Sequence, residues 1–235
     1  MLEPLRYFNG LSPFDSGMVE RFEIGEKYAG LMLNDGSIGV CAVLGQNVDE
    51  KIFSGTAPDL SNPGHRILLN AWFNAVHNYA ISEVGNGDIF NPERFADYRN
   101  VVMIGSFTTL IEKFRQAGIA VSVFDRMSDE DFLIPMQRQP ELLSTADCVI
   151  LTGTSINNET FLIITNQTPV NCDVFLLGPS NILHRDMFKY PNIKTVFGSR
   201  FSKGDHQVLD LIRDGYGTKS FLKESNKVYI SRNNS

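Results

Sequence analysis

The sequence is poor in the residues that build metal centres and disulfide frameworks. Its 235 residues include only three cysteines, and these stand far apart at Cys41, Cys148 and Cys172, each inside an apolar, strand-like run. The chain has no CxxC motif, no HExxH motif and no cluster of histidine with cysteine. Structural zinc sites use such closely spaced ligands. The spacing therefore predicts three buried, reduced thiols and no protein-built metal site.

Long hydrophobic runs are also missing. The longest apolar stretches, such as VVMIG and DVFLLG, are far shorter than the roughly 20 residues that a membrane-spanning helix needs. The N-terminal stretch MLEPLRYFNGLSPFDSG has no continuous apolar segment of the kind that a secretory signal requires. We therefore expect a soluble cytoplasmic protein with no membrane partner.

Positive charge is in short supply. The chain carries 21 Lys and Arg against 27 Asp and Glu, a formal net charge of −6, and it has no run of basic residues. Proteins that bind nucleic acids through phosphates present a basic patch or stripe. The charge balance therefore argues against a nucleic-acid partner.

Apolar bulk, in contrast, is plentiful. Hydrophobic residues make up 43% of the chain and 17 residues are phenylalanine, which is enough for a core in each of two small domains. In the first half, the turn sequence NDGS at residues 34–37 separates two strand-like runs. A later segment repeats apolar residues at helical spacing. The predicted first domain, residues 1–98, is α+β, with strands at 18–24, 28–33 and 38–44 and a helix at 65–84.

The second half, residues 99–235, alternates short apolar runs with helical patterns. The runs are almost continuously apolar, as expected of strands buried on both faces of a parallel sheet. This rhythm predicts an α/β domain of Rossmann type. Its predicted strands are residues 101–104, 120–124, 148–151, 172–177 and 193–197, with a short last strand at an edge, 227–230; its predicted helices are 108–117, 141–144, 157–165, 182–188 and 206–214.

Glycine and hydroxyl residues recur where the predicted strands end. In four of the five turns a glycine is followed within two positions by serine or threonine. Glycine lets a ligand approach the backbone, and a hydroxyl residue caps the next helix, whose N-terminus attracts anions. Open parallel sheets bind ligands at this edge, although ordinary turns use the same residues. The predicted ligand-binding residues in these turns are Gly105, Ser106, Phe107, Asp125, Thr152, Gly153, Thr154, Gly178, Ser180, Gly198 and Ser199.

The first of these turns lacks a dinucleotide fingerprint. The G-x-G-x-x-G motif needs three glycines, and VVMIGSF supplies only Gly105, which disfavours NAD as a cofactor. Asp125 stands about 20 residues later, at the end of the second strand. In dinucleotide-binding folds an acidic residue at this position hydrogen-bonds a ribose hydroxyl group. A nucleoside-type ligand such as S-adenosylmethionine is therefore one interpretation. The alternative is that Asp125 pairs with Arg126 or caps the following loop.

Asn74 is a further candidate ligand-binding residue, because it is polar on the otherwise apolar helix predicted at 65–84. It either faces a site between the two domains or is solvated, and the sequence favours neither. The chain has no G-x-S-x-G nucleophile elbow, and no Ser-His-Asp arrangement is recognisable. The sequence therefore assigns no catalytic residues.

Several motifs in order resemble the family named "putative heavy-metal chelation". They are VVMIGSFTTLIEKFRQAGIAVSVFDR, ELLSTADCVILTGTSINNETF, VFLLGPSNIL and TVFGSRF; the earlier stretches GEKYAGLMLNDGSIGVCAVL and ILLNAWFNAVHNYAIS are similar to the companion domain of that family. The resemblance spans about residues 18–222. It implies a small enolase-N-terminal-like α+β domain, a Rossmann-like domain and a cleft between them.

The resemblance also implies a role in making or handling metal-chelating compounds. By position, Asn74 and Pro179 match the family along with the strand-end residues. Two functions follow as expectations: an enzyme that acts on a small anionic or amino-acid-derived molecule to make or process a chelator, or a protein that binds a metal chelate or nucleoside-type ligand without turnover. A homodimer is a further expectation, since aromatic residues such as Trp72 fill either a core or an interface.

Overall fold

The first sheet is an antiparallel meander, as predicted. The computed structural model describes residues 1–48, 50–54, 57–90, 92–223 and 226–232. The first three strands are β1 (Val19–Ile24), β2 (Tyr28–Leu33) and β3 (Ile38–Ala42), and they lie in that order in the sheet. Gly36 stands in the turn between β2 and β3 with a φ of +82°, a conformation that glycine adopts without strain.

Helix α1 (Pro4–Leu11) was not predicted. It is short and contains Gly10, so its helical pattern is weak in the sequence. Glu3 starts the helix by accepting hydrogen bonds from the first N–H groups, and Pro4 follows at a position where its missing N–H costs nothing. Leu5 and Phe8 are fully buried. Burial of this apolar face against the next helix, rather than local propensity, holds α1 in place.

Helix α2 spans Pro63–His77 instead of the predicted 65–84, and it packs on β3 and β2. Asn62 caps it by accepting two N–H hydrogen bonds from the first turn. The early end has a tertiary cause. Arg200, from the second sheet, donates to the carbonyl of Asn78 and to a second carbonyl three residues further on. These carbonyls accept hydrogen bonds from the Arg200 side chain instead of from helical N–H groups, so the helix ends. The periodicity of the sequence does not reveal this contact.

Helix α2 lies so close to β3 that only glycine fits at position 39. A Cβ atom on Gly39 would lie 1.9 Å from the carbonyl oxygen of Ala71 and 2.4 Å from the backbone nitrogen of Ala75. We expect Gly39→Ala to lower the free energy of unfolding by about 1–3 kcal/mol in urea denaturation, because only movement of the helix relieves the clash. Gly10→Ala is the control, since its Cβ would meet nothing within 4 Å. Equal losses in both variants would contradict this packing argument.

The second sheet contains the Rossmann-type core. Its strands are β4 (Gly85–Asn86), β5 (Val101–Ile104), β6 (Val121–Phe124), β7 (Cys148–Thr152), β8 (Asp173–Leu177), β9 (Ile193–Ser199) and β10 (Lys227–Ser231). Their order is β4-β10-β9-β8-β7-β5-β6. The five strands from β9 to β6 are parallel, whereas β10 and β4 join antiparallel. The predicted fold class, a mainly parallel α/β sheet preceded by a small α+β part, is confirmed.

Short helices connect the strands. They are α3 (Thr108–Gln116), α4 (Gln139–Ser144), α5 (Thr154–Asn157), α6 (Phe161–Thr165), α7 (His206–Arg213) and α8 (Thr218–Phe221), with 3-10 turns at Ser16–Met18, Glu50–Ser54, Phe95–Asp97, Met136–Arg138 and Arg185–Lys189. Within the described ranges, no helix is both long and apolar enough to cross a membrane.

Two of the helices predicted in this half differ from the structure in extent or in type. Of the helix predicted at 157–165, only α6 (Phe161–Thr165) and the last residue of α5 are helical, because Glu159 between them has a φ of +64°, which no α-helical residue adopts. The helix predicted at 182–188 is a loop that leads into the 3-10 turn Arg185–Lys189. There the N–H of Leu183 donates to the side chain of Asn78 (2.7 Å) instead of to a helical carbonyl.

The last predicted strand exists, but it is not at an edge. β10 pairs with β9 on one side, and β4 pairs with its other side. Because β4 belongs to residues 1–98, the first half of the chain contributes an edge strand to the sheet of the second half. The division into domains at residues 98 and 99 stays a prediction.

Candidate functional site

A cavity of about 500 Å³ opens at the carboxyl-terminal edge of the parallel strands, where β5, β8 and β9 end. The parallel strands lie in the order β6-β5-β7-β8-β9, and open sheets of this kind bind ligands beyond that edge. The cavity is called the strand-end cavity below. Its lining residues are Tyr28, Gly87, Asp88, Ile89, Ser106, Phe107, Thr108, Thr109, Leu110, Lys113, Leu177, Gly178, Pro179, Phe197, Gly198, Thr218, Lys219, Leu222, Lys227 and Val228.

The charged lining residues are Lys113, Lys219, Lys227 and Asp88, three positive charges against one negative. Lys113 forms an ion pair with Asp88. Burial opposes ionisation of this carboxyl group, but hydrogen bonds from Lys113 and from the N–H of Phe90 outweigh it and lower the pKa of Asp88. The cavity is therefore locally positive in a chain whose net charge is −6.

Apolar groups form much of the remaining wall, with Phe107, Leu177, Phe197 and Val228 among them. Tyr28 brings a hydroxyl group from the meander. Burial, with a smaller contribution from Cys41, raises the pKa of Tyr28 to about 12, so this hydroxyl stays protonated at neutral pH and is available to donate a hydrogen bond. Apolar walls with a few polar groups are the usual composition of small-molecule sites.

Helix α3 begins at the cavity wall. Its N-cap residue, Phe107, offers no side-chain hydrogen bond, and the first helical residues, Thr108 and Thr109, line the cavity. The first N–H groups of a helix have no partner inside the helix and carry a partial positive charge. The helix end therefore adds to the positive character that the lysines give this wall.

The ring of Phe107 lies between the turn after β5 and the turn after β8. A Cβ atom on Gly105 would lie 3.3 Å from this ring and 3.0 Å from Thr152, and one on Gly178 would lie 3.9 Å from the ring. Both glycines have a positive φ, +106° and +117°. A side chain at Gly105 would press on the phenylalanine ring, whereas one at Gly178 would meet it at an ordinary van der Waals distance. Thr152 lies next to Gly105 and is not among the lining residues.

The Thr152–Thr154 turn is bonded mainly within itself. The hydroxyl oxygens of Thr152 and Thr154 lie 3.0 Å apart, and the Thr154 N–H donates to Thr152 Oγ1 at 3.3 Å. Gly153 packs against Asn181, since a Cβ atom there would lie 2.7 Å from Asn181 Oδ1. These three residues and Gly105 do not line the cavity, and their role in ligand binding stays a prediction.

Asp125 caps a loop, which was the second of its two interpretations. Its carboxylate accepts hydrogen bonds from the N–H groups of Ser106 (2.6 Å) and Met127 (2.7 Å), one on each oxygen. Ser106 lines the cavity, and its hydroxyl donates to Glu130 (2.8 Å). Asp125 is not a lining residue. Instead, Asp125 holds the backbone of a lining residue, Ser106, in place.

Asn74 is buried, with 1% of its surface exposed, and belongs to a row of three amides on α2 and its C-cap residue, Asn78. Asn70, Asn74 and Asn78 stand four residues apart, so they share one face of the helix. They donate to three consecutive carbonyls, those of residues 180, 179 and 181, at 2.9, 3.2 and 3.4 Å. The row thereby holds the turn after β8, which supplies Gly178 and Pro179 to the cavity wall.

Ser180 and Ser199 are also buried behind the wall. The hydroxyl of Ser180 accepts a hydrogen bond from the N–H of Ala42 at the end of β3 (3.1 Å). The carbonyl of Ser199 accepts one from Asn78 (3.1 Å). These serines join the meander and α2 to the strand ends, and neither lines the cavity.

A pair of histidines lies apart from the cavity lining, where α1, α2 and the turn at Arg185–Lys189 meet. The ring centroids of His77 and His184 are 4.9 Å apart, and Phe8 packs against both rings at 5.1 and 5.4 Å. Burial, and next the charge of His184, lowers the pKa of His77 to about 4. Burial likewise lowers the pKa of His184, although Asp186 opposes this. The two histidines are far apart in sequence, so no spacing pattern predicts the pair.

All three cysteines are free and buried, in agreement with the sequence. Burial raises the pKa of Cys41 and of Cys172 to about 12, and it also raises that of Cys148, so the thiols stay protonated. In the parts of the chain that the structure describes, no group of three or more His, Cys, Asp and Glu residues could hold a metal ion.

The structure thus brings four predicted residues to the cavity wall, namely Ser106, Phe107, Gly178 and Gly198. Sequence reasoning missed the charged residues and Tyr28. Tyr28 comes from the meander and Asp88 from the segment after β4, whereas the three lysines come from the second turn of α3, from α8 and from the start of β10. None of these residues lies in a turn that follows a parallel strand. No spacing motif marks them, because only the tertiary fold brings these elements to one cavity.

Comparison with known proteins places the chain among proteins of unestablished function. A protein of unknown function from Pyrococcus horikoshii is 21% identical, with a TM-score of 0.76, and the match covers 91% of this chain and 92% of that protein. Another, from Desulfitobacterium hafniense DCB-2, is 16% identical, with a TM-score of 0.76, and the match covers 97% of each chain. Both structures are described as DUF364 family proteins, and at these identities they show the fold alone.

No curated protein matches the chain. The model of the DUF364 family, described as "Putative heavy-metal chelation", matches residues 88–231, which is more than half of the 235 residues. The matched region includes six of the seven strands of the second sheet, all but β4. The chain therefore belongs to the DUF364 family, "Putative heavy-metal chelation".

Proposed function

We propose that the protein binds a small organic molecule in the strand-end cavity. The observation that carries the proposal is the cavity itself. Its volume of about 500 Å³ suits a metabolite-sized ligand, and its wall combines apolar side chains with a few charged groups. Its place beyond the ends of β5, β8 and β9 agrees with the edge at which open parallel sheets bind ligands.

Binding without turnover is the better supported form of this function. General acid–base chemistry needs a group whose pKa lies near the working pH. The Asp88 carboxyl group is paired with Lys113 and has a lowered pKa. Tyr28 has a pKa raised to about 12, so it stays protonated. Neither group is suited to remove a proton at neutral pH.

A metal chelate is the occupant that the family description suggests. The described residues supply no cluster that could coordinate a bare ion, so a metal would arrive already held by its chelator. Oxygen-rich chelators are negatively charged, and the excess of lysine in the cavity suits such molecules. A nucleoside-type ligand has less support, because both carboxylate oxygens of Asp125 accept backbone N–H groups.

Filling the cavity should abolish binding of a neutral probe. We expect N-phenyl-1-naphthylamine, an uncharged dye that fluoresces in apolar sites, to bind the protein in a 1:1 complex. Thr109→Trp places an indole at the exposed start of α3, in the cavity wall, and should weaken binding about tenfold or more in a fluorescence titration.

Gln116→Trp is the matched control, because Gln116 is exposed at the other end of the same helix and does not line the cavity. The proposal fails if the dye does not bind, or if both tryptophan variants bind it as well as the wild type. Thermal melting of each variant verifies that the fold is retained.

A further inference from the structure

We infer that the strand-end cavity selects amphipathic organic anions, in which a carboxylate, phosphate or similar group is joined to an apolar body. This inference rests on the proposed function, because it concerns the same cavity. It adds the chemical class of the occupant, which neither the family description nor the fold supplies.

The negative group of the ligand is indicated by the distribution of charge. The three lysines reach the cavity from different elements: Lys113 from α3, Lys219 from α8 and Lys227 from the start of β10. Asp88 is the one acid among the described lining residues, and Lys113 already neutralises it. The described lining residues therefore carry three positive charges and one negative charge, in a chain whose net charge is −6. Such a local reversal of sign attracts anions.

The polar groups that are not charged point to the same class. Tyr28 lines the cavity, and its hydroxyl group is protonated at neutral pH, so it is available as a hydrogen-bond donor. The N–H groups at the start of α3 are donors as well. A ligand that offers oxygen acceptors matches these donors.

The apolar body of the ligand is indicated by the rest of the wall. Phe107, Leu177, Phe197, Leu222 and Val228 all line the cavity. An inorganic anion would cover little of this surface, and water would remain against it. An organic anion buries the apolar surface and places its charge at the lysines, so both parts of the wall contribute to affinity.

A matched pair of dyes tests the inference. N-phenyl-1-naphthylamine is neutral, and 8-anilino-1-naphthalenesulfonate has the same ring system with one sulfonate group. We expect Lys219→Glu to weaken binding of the sulfonate dye at least threefold, while the affinity for the neutral dye changes less than twofold. Lys219 is exposed and forms no hydrogen bond or ion pair with the residues that the structure describes, so the variant should fold normally.

Lys223→Glu is the control, since Lys223 is also exposed and close in sequence but does not line the cavity. The sulfonate dye should also be displaced by 1-naphthoate or 1-naphthyl phosphate, and the stronger competitor tells which anionic group the cavity prefers. If both dyes bind and Lys219→Glu changes neither affinity, or changes both equally, the anion inference is overturned and the proposed function stands. If neither dye binds the wild type, the proposed function itself has failed.

Discussion

Arg66→Met is expected to lower the free energy of unfolding by about 3–5 kcal/mol, a loss that urea denaturation at neutral pH would measure. Arg66 lies on α2 and has 1% of its surface exposed. A buried guanidinium group is stable only when its charge and all its N–H groups are satisfied. The expected loss follows from how completely the protein satisfies this one.

All five N–H groups of the Arg66 side chain have partners. Two of them form a bidentate ion pair with Glu3, at 3.1 and 2.9 Å. The other three donate to the carbonyls of Leu60, Ile156 and Asn157, at 3.2, 2.9 and 2.8 Å. One side chain therefore joins the start of α1, the segment before α2 and the end of α5. Methionine fills similar space but leaves three carbonyls and a carboxylate without their donors.

Arg213→Met is the matched control. Arg213 also pairs with carboxylates, those of Asp210 and Asp214, but half of its side chain is exposed. Pairs of this kind contribute about 0–1 kcal/mol. The argument for Arg66 is wrong if the two variants lose the same stability, or if Arg66→Met loses less than about 1 kcal/mol.

The sequence predicts the sheets well and the helix ends poorly, for a physical reason. The central parallel strands of the second sheet are buried on both faces, so their apolar runs mark them almost to the residue, as at Val101–Ile104. Helix α2 ends at His77 because Arg200 takes carbonyls beyond it, and the sequence pattern continues past that point. Helix α1 depends on Glu3 and its contact with Arg66, which are tertiary. Such determinants leave no periodic signal.

The candidate site likewise contains some residues that local sequence predicts and others that only the tertiary fold brings together. Turn chemistry is local, so Gly178 and Gly198 could be identified from strand ends, and both line the cavity. The sequence does not distinguish a turn residue that faces the cavity from one that supports it. Asp125 and Asn74 are polar residues at the right edge, but both serve the backbone around the cavity. Lys219 and Lys227 reach the cavity only through the path of the folded chain after β9.

Stability is expected to fall between pH 6.5 and 4 because of the buried histidine pair. The pKa of His77 is lowered from 6.5 to about 4, so the unfolded chain binds a proton in this range more readily than the folded protein does. The stabilisation is complete above pH 6.5 and is lost as the pH falls towards 4. A difference of this size corresponds to roughly 3 kcal/mol for His77. Urea denaturation at intervals between pH 7.5 and 4 would measure the slope.

His77→Phe should remove most of that slope. Phenylalanine keeps a ring against Phe8 and His184, and it has no proton to bind. His184 should leave a smaller slope in the same range, because its pKa is also lowered. Carboxyl groups with lowered pKa values, such as Asp186, add a loss of the same sign that begins near pH 5, so the slope between pH 6.5 and 5 is the part that reports the histidines. His206→Gln is the control, since His206 is about half exposed. An unchanged slope in His77→Phe would show that its imidazole is not the group that titrates.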